Sequence, residues 1–334
     1  MKIAVIGSGA IGCLLSGYLK QKGEDISLIG RADSVSAINK FGLNISGVRG
    51  SLNIKINAFE KLNESPDLVI LATKTQDIKE VLNNSFNFLE DSPILTTQNG
   101  IQADNIVASL VKKENIISSI VMFGATSLEP GKVMHNFEGS WIVGRIFKEN
   151  DEATVSLAGY LDKIFPTIVA DDILRMKYLK IFVNANNCIP AILGVSMQEA
   201  FSDIRISRIS VSIWKEGLGI ISDLGIKLES LPDFPLERLT KLTSLPTIEA
   251  AKIFSGIMAN LSKEPLFGSI LQSIKRGKAS EIDYINGEFV ALAKANNLKA
   301  LLNDRLVELV HSVENNHKFF SKEELIKDTE DLVN

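Results

Sequence analysis

The sequence predicts an α/β fold, with a parallel-sheet domain over residues 1–168 followed by an all-helical domain over residues 169–334. Three observations predict it. Short β-branched runs alternate with helical patterns up to about residue 168, as strands joined by covering helices do. Beyond Asp171 the strand signals stop, and Ile173 to Leu193 and Ile206 to Leu224 carry apolar residues at helical spacing. The length of 334 residues corresponds to two domains at about 150 residues each, both long enough to bury a core.

Taken in order, Lys2 to Ile6 reads as a strand and Ala10 begins a helix. Strands follow at Ile26 to Ile29 and Asp67 to Ala72, then a helix through Gln76 to Leu82 and a strand at Ile94 to Thr97. Between Ile120 and Arg145, strands flank Glu129-Pro130-Gly131, which predicts an antiparallel hairpin at the far edge of the sheet, closing the first domain. In the second domain, Leu231-Pro232-Asp233-Phe234-Pro235 and Ser244-Leu245-Pro246 interrupt helices and read as exposed connections. The tail from Ser321 to Asn334 reads as a solvated terminal helix.

Charge excludes some functions. Lys and Arg number 36 against 40 Asp and Glu, so the net charge of −4 gives no footprint for nucleic acid. No uninterrupted apolar run nears the roughly 18 residues a membrane helix needs. Cys13 and Cys188 lie far apart, outside any zinc-ligand spacing, so no metal is expected. With no leader pattern ahead of the first strand, the expectation is a cytoplasmic protein.

The first chemical motif is Gly7-Ser8-Gly9-Ala10-Ile11-Gly12, between the first strand and its helix. In that setting Gly7 permits the tight turn, Gly9 admits a pyrophosphate against the backbone, and Gly12 lets helix and strand pack closely, while the helix N-terminus offers N–H donors. A Rossmann-type dinucleotide site follows. An NAD site usually has an acidic residue at the end of the second strand, but this strand ends in Gly30-Arg31, and Asp25 lies at its opposite end. A guanidinium there suits a 2′-phosphate, so the expected cofactor is NADP(H), with Lys74 as a second positive charge.

Further segments extend the pattern: Gln98-Asn99-Gly100, Gly124-Ala125-Thr126 with Pro130-Gly131, Lys180 with Asn184, Ser269 through Glu281-Ile282-Asp283-Tyr284-Ile285-Asn286-Gly287, and Asn303-Asp304-Arg305-Leu306. With the glycine motif, Arg31 and Lys74, they make the chain resemble the ketopantoate reductase family over nearly its whole length. The resemblance implies NADPH-dependent reduction of a 2-oxo acid to a 2-hydroxy acid, pantoate on the route to coenzyme A. It implies Lys180 as the catalytic acid, with Asn184, Ser269 and Glu281 binding substrate and Glu281 pairing electrostatically with Lys180. Asn99 belongs beside nicotinamide and ribose, serving cofactor and substrate, and Thr126 joins the cofactor residues.

The chemistry agrees with those roles. Hydride reaching a carbonyl carbon drives charge onto its oxygen, which needs a donor and a proton. Lys180 and Asn184 stand at i and i+4 on one helix face. Lys177 competes, since helical spacing alone does not select between the lysines. Asp283 reads as structural. Cys188 departs from the resemblance, standing where the family has a second asparagine; either an amide donor is missing or the neighbouring Asn187 comes into use. Tyr178 stands where some members carry Trp. Two other readings stay open: a reductase of a different 2-oxo acid, and a non-catalytic dinucleotide sensor. A Rossmann-like methyltransferase is disfavoured by Arg31, where those enzymes place an acid. A homodimer through the helical domain, using the apolar helices from Ile206, is a family-level expectation.

Overall fold

The computed structural model describes every residue except Lys263 and Asn334. The chain divides into two compact units between Leu174 and Arg175. The first unit carries β1 (Lys2–Ile6), α1 (Ala10–Gln21), β2 (Asp25–Ile29), α2 (Ala32–Phe41), β3 (Leu43–Gly47), β4 (Leu52–Ile54), β5 (Asn57–Phe59) and β6 (Leu68–Leu71). It continues with α3 (Ile78–Ser85), β7 (Ile94–Thr96), α4 (Gln102–Ala108), β8 (Ile116–Val121), β9 (Gly124–Glu129), β10 (Lys132–Phe137), β11 (Trp141–Gly144), α5 (Glu152–Leu161) and β12 (Thr167–Val169).

The main sheet runs β12-β11-β8-β7-β6-β1-β2-β5, and its central strands are parallel. The residues of β6 and β7 are buried on both faces, as strands covered by helices on either side must be. Register fixes the functional edge: Ile6 pairs with Ile29 and with Leu71, and Leu71 pairs with Thr96. The carboxyl ends of β1, β2, β6 and β7 are therefore level. Chain order reverses about β1, with β2 on one side and β6 on the other, and ligands of such sheets bind outside the carboxyl ends at that reversal.

The hairpin expectation needs correction. Strands β9 and β10 do pair antiparallel, but in a separate four-stranded sheet of order β4-β3-β10-β9, not at the far edge of the main sheet. That place is taken by β11, antiparallel to β8, and by β12 beyond it. The cause lies in side chains turned inward onto α1. Val133 and His135 of β10 are buried, and His135 Nδ1 accepts from Tyr18 Oη of α1 at 2.9 Å, its Nε2 donating to the Phe137 carbonyl at 3.0 Å. Burial lowers the His135 pKa, so the ring is held neutral and structural. Strands β3 and β4, short and polar on alternate residues, complete this sheet.

The second unit is helical: α6 (Ile173–Ala185), which begins just before the division, α7 (Cys188–Leu193), α8 (Met197–Phe201), α9 (Ile204–Asp223), α10 (Leu236–Ser244), α11 (Thr247–Ala259), α12 (Ser269–Lys275), α13 (Asn286–Ala295), α14 (Leu301–Asn316) and α15 (Lys322–Thr329). The stretch expected to run helically to Leu193 is broken at Asn186–Asn187, between α6 and α7. On α9, Ile206, Ile209, Ile213 and Ile220 are interior, while Ile248, Ile253 and Ile257 of α11 are exposed. The tail is not solvated throughout: Leu325 is fully buried, the N-terminus of α15 carries a reciprocal Ser321–Glu324 cap, and Arg305 bonds Asp328 at 2.6 Å. Asn334 of that expected tail lies outside the described residues.

Candidate active site

The first unit builds a glycine-lined turn between β1 and α1. Gly7 has φ of +120°, and a Cβ there would lie 2.5 Å from the Ala72 carbonyl carbon, while a Cβ on Gly12 would overlap the Gly7 carbonyl oxygen. Only glycine lets β1, β6 and the start of α1 meet so closely. Gly9 differs: a Cβ there meets nothing within 4 Å, so its bare backbone faces open space. The first bond of α1 runs from Cys13 N–H to the Gly9 carbonyl at 2.9 Å, no side chain caps the helix, and no acid occupies its first turn. Orphan donors and a positive helix end suit an anion, and the residues present fit a dinucleotide pyrophosphate.

Ser8 packs on Gly30, bringing the glycine loop against the end of β2. The next residue, Arg31, is exposed as the N-cap of α2, and Asp33 follows in that helix's first turn. Lys74 stands just after β6 as the N-cap of the turn Thr75–Asp77. Asn99 follows β7 at the same edge, in a loop braced by Gln98, whose Nε2 donates to the Leu71 and Thr73 carbonyls at 2.8 and 2.9 Å. Beneath it the buried Asp104 accepts from Thr96 Oγ1 at 2.6 Å and Ser118 Oγ at 2.9 Å. Thr126 lies on β9 in the second sheet, where its Oγ1 accepts from Asn136 Nδ2 at 2.8 Å and its strand packs against α1.

The second unit carries the other group. Lys180 and Asn184 lie on α6, with Phe182 between them in the core against Phe289. Trp214 of α9 donates from Nε1 to the Phe182 carbonyl at 2.8 Å, fixing α6 in place. The Lys180 side chain is partly accessible, yet desolvation pulls its ammonium down to about 8, with the Asp233 carboxylate pulling the other way. Asp233 lies 53 positions from Lys180, with no local spacing to mark it as a partner. The Pro-rich segment is not simply an exposed connection: Leu231 is buried, and Leu231 and Phe234 exchange both main-chain bonds to make a tight turn with Asp233 at its tip. Phe234 packs edge-on against Trp214, so one indole ties both α6 and this turn. Lys177 is buried more deeply than Lys180.

Ser269 is exposed and opens α12. Before it, a Cβ on Gly268 would stand 3.1 Å from the Asn187 side-chain carboxamide, so the break after α6 brings Asn187 next to Ser269. Cys188 is fully buried, and burial pushes its thiol up to about 12, which removes it as a nucleophile and as a pocket-facing group. Glu281 is half-buried and starts the turn Ile282–Tyr284. Asp283, in that turn, receives His311 Nε2 at 2.9 Å.

A parallel sheet with a glycine cradle at its switch point, followed by a helical unit bearing a desolvated lysine, defines a Rossmann-type oxidoreductase. The chain belongs to the ketopantoate reductase family: residues 3–147 match the family model "Ketopantoate reductase PanE/ApbA" and residues 172–314 match its C-terminal counterpart. It is 34% identical to a 2-dehydropantoate 2-reductase of Pyrococcus horikoshii over 94% of this chain and 98% of that protein. Identity to the 2-dehydropantoate 2-reductase of Lactococcus lactis is 25%, over 98% and 99%. Among solved structures, D-mandelate dehydrogenase with NADH and anilino(oxo)acetate superposes with a TM-score of 0.80 at 25% identity, covering 95% of this chain and 99% of that one. A ketopantoate reductase from Ralstonia eutropha shares the fold at TM-score 0.79 and 22% identity, over 95% and 99%. No helix among the described residues is long and apolar enough to cross a membrane.

Proposed function

We propose that this protein reduces 2-dehydropantoate to pantoate with NADPH, a step toward coenzyme A, in a reducing, cytoplasmic compartment where its two buried cysteines stay as thiols. The observation that carries the reading is Lys180, a desolvated lysine on a braced helix in a family of 2-oxo acid reductases. A bound nicotinamide dinucleotide supplies the hydride. The first unit holds it: the backbone around Gly9 takes the pyrophosphate, Arg31 and Lys74 take the 2′-phosphate, and Asn99 orients the nicotinamide ribose. In the second unit, Ser269 donates to the substrate carboxylate, Glu281 accepts from the substrate hydroxyl, and Asn184 orients the ketone. Lys180 Nζ polarises the ketone oxygen and delivers the proton that turns the alkoxide into the hydroxyl, leaving a neutral amine that solvent reprotonates.

The test is product formation: incubation with NADPH and ketopantoate should yield pantoate and NADP in equal amounts. Absence of pantoate overturns the reading. A second reading, reduction of a bulkier 2-oxo acid, is favoured by the likeness to D-mandelate dehydrogenase and by Cys188 lying in the core instead of offering an amide.

The phosphate preference rests on Arg31 and has its own check. Removing a charge-assisted partner costs about 1.5–3 kcal/mol, so Arg31→Ala should weaken NADPH binding by roughly tenfold to a hundredfold while NADH changes by less than about twofold. Fluorescence titration of both cofactors reads it. Equal weakening of the two means that Arg31 does not hold the 2′-phosphate.

A further inference from the structure

We propose that His311 is a positioning residue for Glu281: as an imidazolium it joins Asp283 to Glu314 and so fixes the turn that presents the Glu281 carboxylate. The inference rests on the assignment of Glu281 to substrate binding made above. The turn Ile282–Tyr284 is a single short 3₁₀ segment closed by Tyr284 N–H on the Glu281 carbonyl at 3.0 Å, and such a segment has little stability of its own. Its position is set by tethers on either side of Glu281. Ahead of it, Ser280 N–H donates to Glu314 Oε1 at 2.6 Å, and the Ser280 hydroxyl accepts from Ile282 N–H at 3.3 Å. Behind it, Asp283 Oδ1 accepts from His311 Nε2 at 2.9 Å. The ring's other nitrogen, Nδ1, contacts Glu314 Oε2, also at 2.9 Å. One imidazole thus links both tethers, and they share a rigid base. Leu306, Leu309, Val310 and Val313 of α14 are buried, and Glu216 of α9 accepts from Leu302 and Asn303 N–H at its start, each at 2.9 Å.

Geometry alone requires the charged ring. A neutral imidazole has one N–H, whereas both nitrogens here face carboxylate oxygens, so only the cation donates to both. Deprotonation sets a ring lone pair against a carboxylate and breaks one link. The groups acting on the ring are Asp283, from the turn, and Glu314, from its own helix. Of the other elements packed on α14, α13 carries Glu288 and Lys294, α9 carries Arg205, Arg208, Lys215, Asp223 and, against the start of α14, Glu216, and α7 carries no charge. Burial disfavours the cation, but hydrogen bonds and charge from the two carboxylates outweigh it, raising the His311 pKa above its ordinary value. The link is accordingly complete below that raised pKa and is lost as pH rises through it.

The experiment is the KM for ketopantoate, with saturating NADPH, from about pH 6 to about pH 9 in the full-length wild type, His311→Ala, His311→Lys and Asp283→Asn. The wild-type KM should rise with pH. His311→Ala should show a KM about fivefold higher at the acidic end, with kcat little changed and the wild-type rise absent, a fraction of what its two charge-assisted bonds are worth because the ring reaches the substrate only through the turn. His311→Lys, which keeps its charge throughout, should hold the KM low to the alkaline end, and Asp283→Asn, which removes one of the carboxylates that hold the ring charged, should raise the KM and move its rise to lower pH. Wild type and His311→Ala following the same course overturns the proposal. Glu281→Gln separates this from the underlying assignment: an unchanged KM in that variant refutes Glu281 as a substrate ligand. Amide exchange at Ser280 to Tyr284, read alongside the His311 ring titration by NMR, needs no substrate. Protection that falls as the ring deprotonates supports the link, and constant protection overturns it.

Discussion

Lys180→Ala is expected to lower kcat by about a hundredfold to ten-thousandfold, the range supplied by a positioned general acid, while NADPH affinity changes by less than about twofold. The separation follows from the fold, because the cradle around Gly7 to Gly12 belongs to the first unit and Lys180 to the second. Acidity adds a second signature. In the reductive direction the acid must be protonated, and burial has brought Lys180 down to about 8, so kcat should be level below that pH and fall about tenfold per unit above it. Asp233 opposes the burial, so Asp233→Asn should move the fall to lower pH. Stopped-flow NADPH oxidation across this range reads both effects. If Lys180→Ala keeps its turnover and Lys177→Ala loses it, the acid is Lys177.

Two alanines in the glycine motif should fail in opposite ways. At Gly12 the new Cβ would overlap the Gly7 carbonyl oxygen, backbone that cannot swing aside as a side-chain tip can. Gly12→Ala should therefore destabilise the first unit by about 3 kcal/mol or more, the upper end for overpacking, and lower the melting temperature. At Gly9 the new methyl enters open space, so Gly9→Ala should fold and melt like wild type. It should nevertheless weaken dinucleotide binding by about a hundredfold, since the methyl occupies the approach to the backbone donors. Thermal melts paired with cofactor titration separate the two. Wild-type affinity in Gly9→Ala would mean that the pyrophosphate does not lie there.

Legibility in the sequence followed the range of the interactions. The cradle was readable because a strand, three spaced glycines and a helix occupy adjacent positions, and the geometry that demands glycine is local. The buried central strands announced themselves as continuous apolar runs, whereas β3 and β4 did not, being short and half-polar, with β4 dependent on β3 and β3 on β10 for a partner. The hairpin was misplaced for the same reason. Its turn is local, but which sheet receives it is decided by Tyr18 meeting His135, 117 positions apart.

The site divides in the same way. Lys180 and Asn184 share a face by helical spacing alone. Asp233 acts on that lysine from a turn distant in sequence, which Trp214 ties to the same helix. His311 and Glu314 likewise reach Ser280 and Asp283 only through the packing of α14 on the turn. Only the folded chain exposes such partners. The break at Asn186–Asn187 was equally hidden, because the apolar spacing runs on through it.

The most direct test of the central claim compares kcat/KM for ketopantoate with that for the 2-oxo acid of mandelate and for smaller 2-oxo acids, each with NADPH and with NADH. Ketopantoate with NADPH should exceed every other pair. A higher value for the mandelate-type acid, or for NADH with any acid, would contradict that claim.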